Sequence, residues 1–211
     1  MDEQGAVERL KAGDIGGLEA MAELYYTRAT RVAYLIVRDR ALAEDVAQGA
    51  LVRVYESIGS FDAGRPFGPW FTKIVVNDAI KTASRRERTV SFYEGNTEDL
   101  LGRLADPETG PHESAEKAET SRRVWRALEQ LPPAQRAVVV QRYYLGMSEA
   151  EMIGLGASSP GTVKSRLNRA RKSLSKLLRP QFRGEEDPPT DRERPVAVGA
   201  LPDPCAEEEI R

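Results

Sequence analysis

Apolar residues in the first ninety positions recur at steps of three and four with no long alternating run, the period of helices rather than strands. Met21, Leu24, Tyr25, Val32, Leu35 and Ile36 share one face; Leu42, Val46, Leu51, Val54 and Ile58 define a second helix, and Phe71, Ile74, Val75 and Ile80 a third. Three such stripes predict one small core. Between the second and third helices lies Phe61-Asp-Ala-Gly-Arg-Pro-Phe-Gly-Pro-Trp70, where Gly64, Pro66, Gly68 and Pro69 forbid a continuous helix and predict a shaped loop. After Arg88 the pattern stops. Thr89 to Tyr93 suggests a brief strand, and Asn96 to Thr120, poor in large apolar residues, reads as a tether.

A second helical unit begins near Arg122, with Val124, Leu128 and Leu131 on one face before Pro132-Pro133 ends the helix. Ala134 to Leu145 is closed by Gly146. Ser148-Glu-Ala-Glu151 is a capping box that opens the next helix, and Ser159-Pro160 supplies a cap and a first-turn proline for the last. From Pro160 onward Val163, Leu167, Ala170, Leu174 and Leu177 form one stripe, which leaves Lys164, Ser165, Asn168, Arg169 and Lys172 on the opposite face. The predicted fold class is all-α, two small helical domains joined by a flexible linker.

Charge sharpens the division. Of 31 Lys+Arg and 33 Asp+Glu, residues 1–88 hold 13 of each, residues 89–120 hold 2 bases and 8 acids, and residues 121–151 hold 5 bases and 3 acids. Residues 152–183 hold 8 bases and no acid, and residues 184–211 hold 3 bases and 9 acids. A near-neutral total thus hides one strongly basic block between acidic segments, the asymmetry of a protein that touches a polyanion with one part only. Solvated helices usually intersperse both signs, so the basic face of the last helix points to a recognition helix entering a DNA groove.

Composition removes whole classes of chemistry. The lone Cys205 and lone His112 exclude an internal disulfide and a Cys/His zinc site. His112 sits in a linker-like stretch, unsuited to a catalytic triad. No cofactor and no metal are expected, and a chain without a long apolar run is expected to be cytoplasmic, with no membrane insertion. Two other classes stay open on the residues alone. A stand-alone helix-turn-helix regulator would use the same last helix but would need a dimerisation element, and a carboxylate-metal nuclease would draw on Asp39, Glu44 and Asp45.

Ser159-Pro-Gly-Thr-Val-Lys-Ser-Arg-Leu-Asn-Arg-Ala-Arg171, preceded by Leu131-Pro-Pro-Ala-Gln-Arg-Ala and Tyr143-Tyr-Leu-Gly-Met-Ser, resembles region four of the extracytoplasmic-function sigma factors. Ala43-Glu-Asp45-Val-Ala-Gln48, the Phe61 to Trp70 segment and Ile74-Val-Val-Asn77 resemble region two of the same family. The resemblance implies a non-enzymatic, dissociable initiation subunit of bacterial RNA polymerase. Its domains would be region two over 1–88, an acidic flexible linker over 89–120, region four over 121–180 and a disordered acidic tail over 181–211.

The resemblance also implies partners and sites. Asp45, Gln48 and Arg53 match the surface that grips the clamp helices of the largest polymerase subunit, and a contact to the second large subunit is expected as well. The loop with Phe61 and Phe67, together with Asn77, matches the pocket for a flipped base of the downstream promoter element, beside phosphate-binding Lys81, Arg85, Arg86 and Arg88. Trp70 and Phe71 are expected to be core. Lys164, Ser165, Asn168 and Arg169 match the readers of the upstream element; Arg166, Arg171 and Thr162 are assigned to phosphates, Thr162 through its hydroxyl and backbone amide. An anti-sigma factor is a further expected partner. The chain departs from the family at Gly49, where relatives carry Glu, and at Gly156-Ala157, where relatives carry Leu-Gly and a shifted or strained turn is expected.

Overall fold

A computed structural model describes residues 2–93, 115–154 and 159–178. The regular structure among them is helical and falls into two compact units, the first built on α1 to α3 and α4 as far as Arg86, the second on α5, α6 and α8 with the last turns of α4 and most of α7.

The first unit opens with a helix the apolar pattern does not announce. Asp2 caps α1 (Glu3–Lys11) by accepting the Gly5 N–H at 3.1 Å, and Ala6, Val7 and Leu10 are buried. Helix α2 (Gly16–Val37) crosses α1 at Gly17, where a Cβ would lie 2.6 Å from the Ala6 carbonyl oxygen, so only glycine permits this approach. The Asp39 carboxylate accepts the Leu42 N–H at 3.0 Å to start α3 (Arg40–Ser57), which ends in a single 3-10 turn, Ile58–Ser60. Helix α4 (Phe67–Tyr93) completes the unit. Leu10, Met21, Ile36, Val54, Phe67 and Val75 are the largest fully buried side chains, so the three predicted stripes do meet in one core.

Two expectations need correction here. The loop ends at Pro66, not Trp70: Gly68 and Pro69 lie in the first turn of α4, where backbone N–H groups have no partner within the helix and a proline removes nothing. Thr89–Tyr93 is not a strand but the last turns of α4, because a strand needs an edge to pair with and the described residues offer none.

In the second unit α5 (Ala115–Glu129) starts six residues inside the expected tether, since Ala, Glu and Lys favour helix without adding apolar residues. It is followed by α6 (Pro133–Val139), a π turn at Val140–Tyr144 and Gly146 at φ 68°, the predicted stop. Ser148 and Glu151 form the predicted capping box of α7 (Glu149–Gly154): the Ser148 N–H donates to Glu151 at 2.7 Å and the Glu151 N–H to the Ser148 hydroxyl at 3.2 Å. Bonds from the Ser148 hydroxyl and N–H hold the Glu151 carboxyl below its usual pKa. Helix α8 (Pro160–Leu178) packs against α5 and α6 through Val163, Leu167 and Ala170, all buried. The Gly156-Ala157 turn, the centre of the 89–120 segment and the acidic tail lie outside the described residues. Among those residues no helix is long and apolar enough to cross a membrane.

Candidate nucleic-acid interface

Helix α8 divides as its sequence predicts. Lys164, Ser165, Asn168, Arg169 and Lys172 are exposed on the side away from the buried stripe. Arg166 and Arg171 are half-buried and fall on opposite flanks of that face, about 140° apart at about 100° per residue. The Arg171 Nε donates to the Tyr143 hydroxyl at 3.1 Å, which ties this flank to the π turn. Ser165 donates its hydroxyl to the Thr162 carbonyl at 3.1 Å and keeps acceptor capacity outward.

Thr162 needs a correction. Its backbone amide donates to the Ser159 carbonyl at 2.9 Å and lies 3.3 Å from the Ser159 hydroxyl, so the cap of α8 already uses it. Only the Thr162 hydroxyl, 2.8 Å from that of Ser159, can serve a phosphate.

Helix α4 carries a second exposed stripe. At about 100° per residue, Trp70, Asn77, Lys81 and Arg88 fall within about 40° of one another, opposite Val75, Ala79 and Ala83 in the core. Arg85 lies beside them. Arg86 instead turns to Asp39, 3.2 Å away, and links α4 to the start of α3. The loop before α4 is an ordered turn: the Arg65 N–H donates to the Asp62 carbonyl and the Gly64 N–H to the Asp62 carboxylate, both at 3.0 Å.

The aromatic cluster sorts differently from expectation. Phe61 and Phe67 are 4% and 1% exposed, and their rings meet edge to face with centroids 5.6 Å apart. They are core residues rather than an open stacking surface, since burying the apolar rings is favourable. Phe71 is buried as expected, whereas Trp70, tilted against Phe61 at 4.8 Å, is only half-buried and belongs to the α4 stripe.

On α3, Asp45, Gln48, Gly49 and Val52 share an exposed face. Arg53 leaves it, pairing at 2.6 Å with the mostly buried Asp78 of α4. The sequence reading missed the apolar part of this surface. Val52 is 53% and Ile15 67% exposed, and with Leu18, Ala22 and Leu51 they line a groove of about 360 Å³ beside Gln48 and Asp45. The signal was present, since Val52 follows Gln48 by one helical turn and lies off the stripe of Leu42, Val46, Leu51, Val54 and Ile58.

The carboxylates of the nuclease reading are not assembled. Asp39 caps α3 and pairs with Arg86, Glu44 pairs with Arg40 at 3.1 Å, and among the described residues no group of three His, Cys, Asp or Glu could hold a metal ion.

Comparison with known proteins gives the family. The family model described as Sigma-70 region 2 matches residues 21–89, and that described as Sigma-70, region 4 matches residues 121–174. The RNA polymerase sigma-H factor of Pseudomonas aeruginosa is 29% identical over 86% of this chain and 96% of its own length. The ECF RNA polymerase sigma factor SigM of Mycobacterium tuberculosis is 32% identical over 79% of this chain and 80% of its own length. Among solved structures, that of the sigma factor RpoE in complex with the anti-sigma factor NepR from Bartonella quintana superposes with a TM-score of 0.57 at 22% identity, over 77% of this chain and 97% of that one. The chain therefore belongs to the extracytoplasmic-function group of the sigma-70 family, whose members are not enzymes but direct RNA polymerase to promoters and start transcription there.

Proposed function

We propose that the three exposed faces divide the work of initiation. Residues 1–88 bind core polymerase and read and melt the downstream element, residues 121–180 read the upstream element, residues 89–120 join them and residues 181–211 form an acidic tail outside both tasks. The observation that carries this reading is the α8 face, with Lys164, Arg169 and Lys172 and no acid opposite a fully apolar stripe. The α3 face supplies what a clamp-helix contact needs, an apolar centre at Val52 and Ile15 with Asp45 and Gln48 on its rim. Arg53 supports that face from its edge through Asp78. The ordered Asp62 to Pro66 turn and Asn77 receive a flipped base over the Phe61 and Phe67 floor, and Lys81, Arg85 and Arg88 hold the strand's phosphates. Arg86 contributes by fixing α4 to α3. An anti-sigma factor, the kind of partner with which the RpoE structure was solved, would compete for the α3 groove.

The test is transcription by purified core polymerase on a random promoter library, with and without this protein. With a net charge of −2 and only local basic patches, the isolated chain should bind duplex DNA weakly at physiological salt. Tight binding alone, with no gain on adding core, would falsify the reading.

Replacing Asp45 and Gln48 together by Ala should weaken holoenzyme assembly, and Val52→Asp should weaken it further, each by on the order of tenfold or more. All three side chains are exposed on one face, so the fold should survive. Competition for core against the unmodified chain measures this; equal competition by the variants removes these residues from the contact.

Gly49 offers the opposite change. Nothing lies within 4 Å of a Cβ built there, so Gly49→Ala should stabilise α3 by about 1 kcal/mol, seen as a raised denaturant midpoint. An unchanged or lowered midpoint would mean that the helix gains nothing from a side chain at this position.

A further inference from the structure

Helix α1 touches both ends of the loop that precedes α4. It packs against the 3-10 turn Ile58–Ser60 at the loop's start, and its Glu3 reaches the loop's end. There one Glu3 carboxylate oxygen accepts the Phe67 N–H at 3.3 Å, the first amide of α4, and the other accepts the Tyr25 hydroxyl of α2. The Tyr25 ring sits edge-on to Phe71 at 5.5 Å and tilted against Phe67 at 5.3 Å, and a Cβ at Gly68 would lie 3.3 Å from its hydroxyl. Glu3 thus joins three helices at the point where the loop becomes α4.

Burial and the bond to Glu3 raise the Tyr25 pKa, so its hydroxyl stays a donor throughout the neutral range. The brace is itself held. Gly17 lets α1 lie against α2, and Val7 and Leu10 anchor it in the core. The Asp62 to Arg65 turn, closed by its own hydrogen bonds, then moves as one piece whose position is set at its two ends.

We propose that α1 is part of the downstream-element reader, with Glu3 as the positioning residue that sets the loop against Asn77. This rests on the reading of the loop as a base-accepting pocket. A carboxylate suits the task because each of its two oxygens accepts from a donor on a different helix, and such charge-assisted bonds are stronger than neutral ones. The residue touches no DNA and acts through the backbone it holds.

The experiment compares holoenzymes carrying the unmodified chain, Glu3→Ala, Glu3→Gln and Tyr25→Phe. Each is bound to single-stranded downstream-element oligonucleotides with the native base, another base or an abasic site at every position in turn. Glu3→Ala should lower the native-base preference at one position by about tenfold, Tyr25→Phe by less. Core affinity and binding of upstream duplex should stay unchanged. Glu3→Gln should recover part of the preference, since its amide oxygen still accepts the Phe67 N–H. If the unmodified holoenzyme shows a preference that all three variants retain, α1 plays no part in reading. A parallel loss of core affinity and upstream binding would show a general loss of folding and would equally overturn the proposal. Should the unmodified holoenzyme show no downstream preference at any position, the pocket reading itself fails, a result separable from failure of the brace.

Discussion

Replacing Arg136 by Ala is expected to lower the stability of the second unit by on the order of 3 kcal/mol, the largest effect of any single substitution outside the apolar core. The cause lies in the chain just before it. Helix α5 ends at Glu129, and its last carbonyls need donors that the following residues would ordinarily supply. Here Pro132 and Pro133 follow, and neither has an N–H. Arg136, only 4% exposed, reaches back from α6 instead: its Nε donates to the Leu128 carbonyl at 3.0 Å, and one terminal nitrogen donates to the carbonyls of Glu129 at 3.0 Å and Leu131 at 2.9 Å. Truncation leaves the Glu129 and Leu131 carbonyls without this donor, the Leu128 carbonyl with the Leu131 N–H alone at 3.1 Å, and a void where the guanidinium was. Lys should not rescue, because a single ammonium lacks the planar fork that spans three carbonyls.

For a unit this small, such a loss is a large share of the total stability. Upstream-element binding should fail while the core binding proposed for α3 persists. Denaturant unfolding followed at Trp125 of α5 measures the first effect, and upstream-element binding by the mutant holoenzyme the second. A midpoint for Arg136→Ala equal to that of the unmodified chain would show that water satisfies the α5 carbonyls without help.

What could be read from the residues follows the range of the interaction. The Ser148 and Ser159 caps, the Gly146 stop and the two faces of α8 depend on neighbours three or four residues away, and each is where the chain pattern puts it. Helix α1 was missed because its apolar positions, Ala6, Val7 and Leu10, are few and two are small; only Asp2 ahead of them hints at a start. The opening turns of α5 were missed for the related reason that a helix can begin on Ala, Glu and Lys with little to bury.

The site residues show the same limit more sharply. Arg53 and Arg86 look like their neighbours in sequence, yet they pair with Asp78 and Asp39, 25 and 47 positions away, and no local pattern encodes such partners. Phe61 and Phe67 flank a loop rich in Gly and Pro, which suggests exposure, but the fold turns both rings inward and leaves the polar turn between them at the surface. Loop residues and core residues thus alternate within seven positions, a division that only the tertiary contact decides.

The distinction between base reading and phosphate binding on α8 yields the second large effect. Val163, Leu167 and Ala170 are buried, which fixes the helix's rotation and aims Lys164, Ser165, Asn168 and Arg169 outward. Arg169 is exposed on that face, toward its Arg166 side, able to place a bidentate guanidinium on a base edge. Arg171 stands at its flank, where the Tyr143 hydroxyl steers it. Arg169→Ala should therefore cost about 1–3 kcal/mol at one base pair of the upstream element and flatten preference there. Arg171→Ala should weaken all upstream sequences alike and reduce the slope of log affinity against log salt by about one. Tyr143→Phe should resemble a milder Arg171→Ala, because it removes the guide and keeps the charge. Selection from an upstream-element library with each mutant holoenzyme at two salt concentrations separates the cases. If Arg171→Ala altered base preference and Arg169→Ala did not, α8 would enter the groove rotated toward its flank, and the assignment of readers to its exposed face would fail.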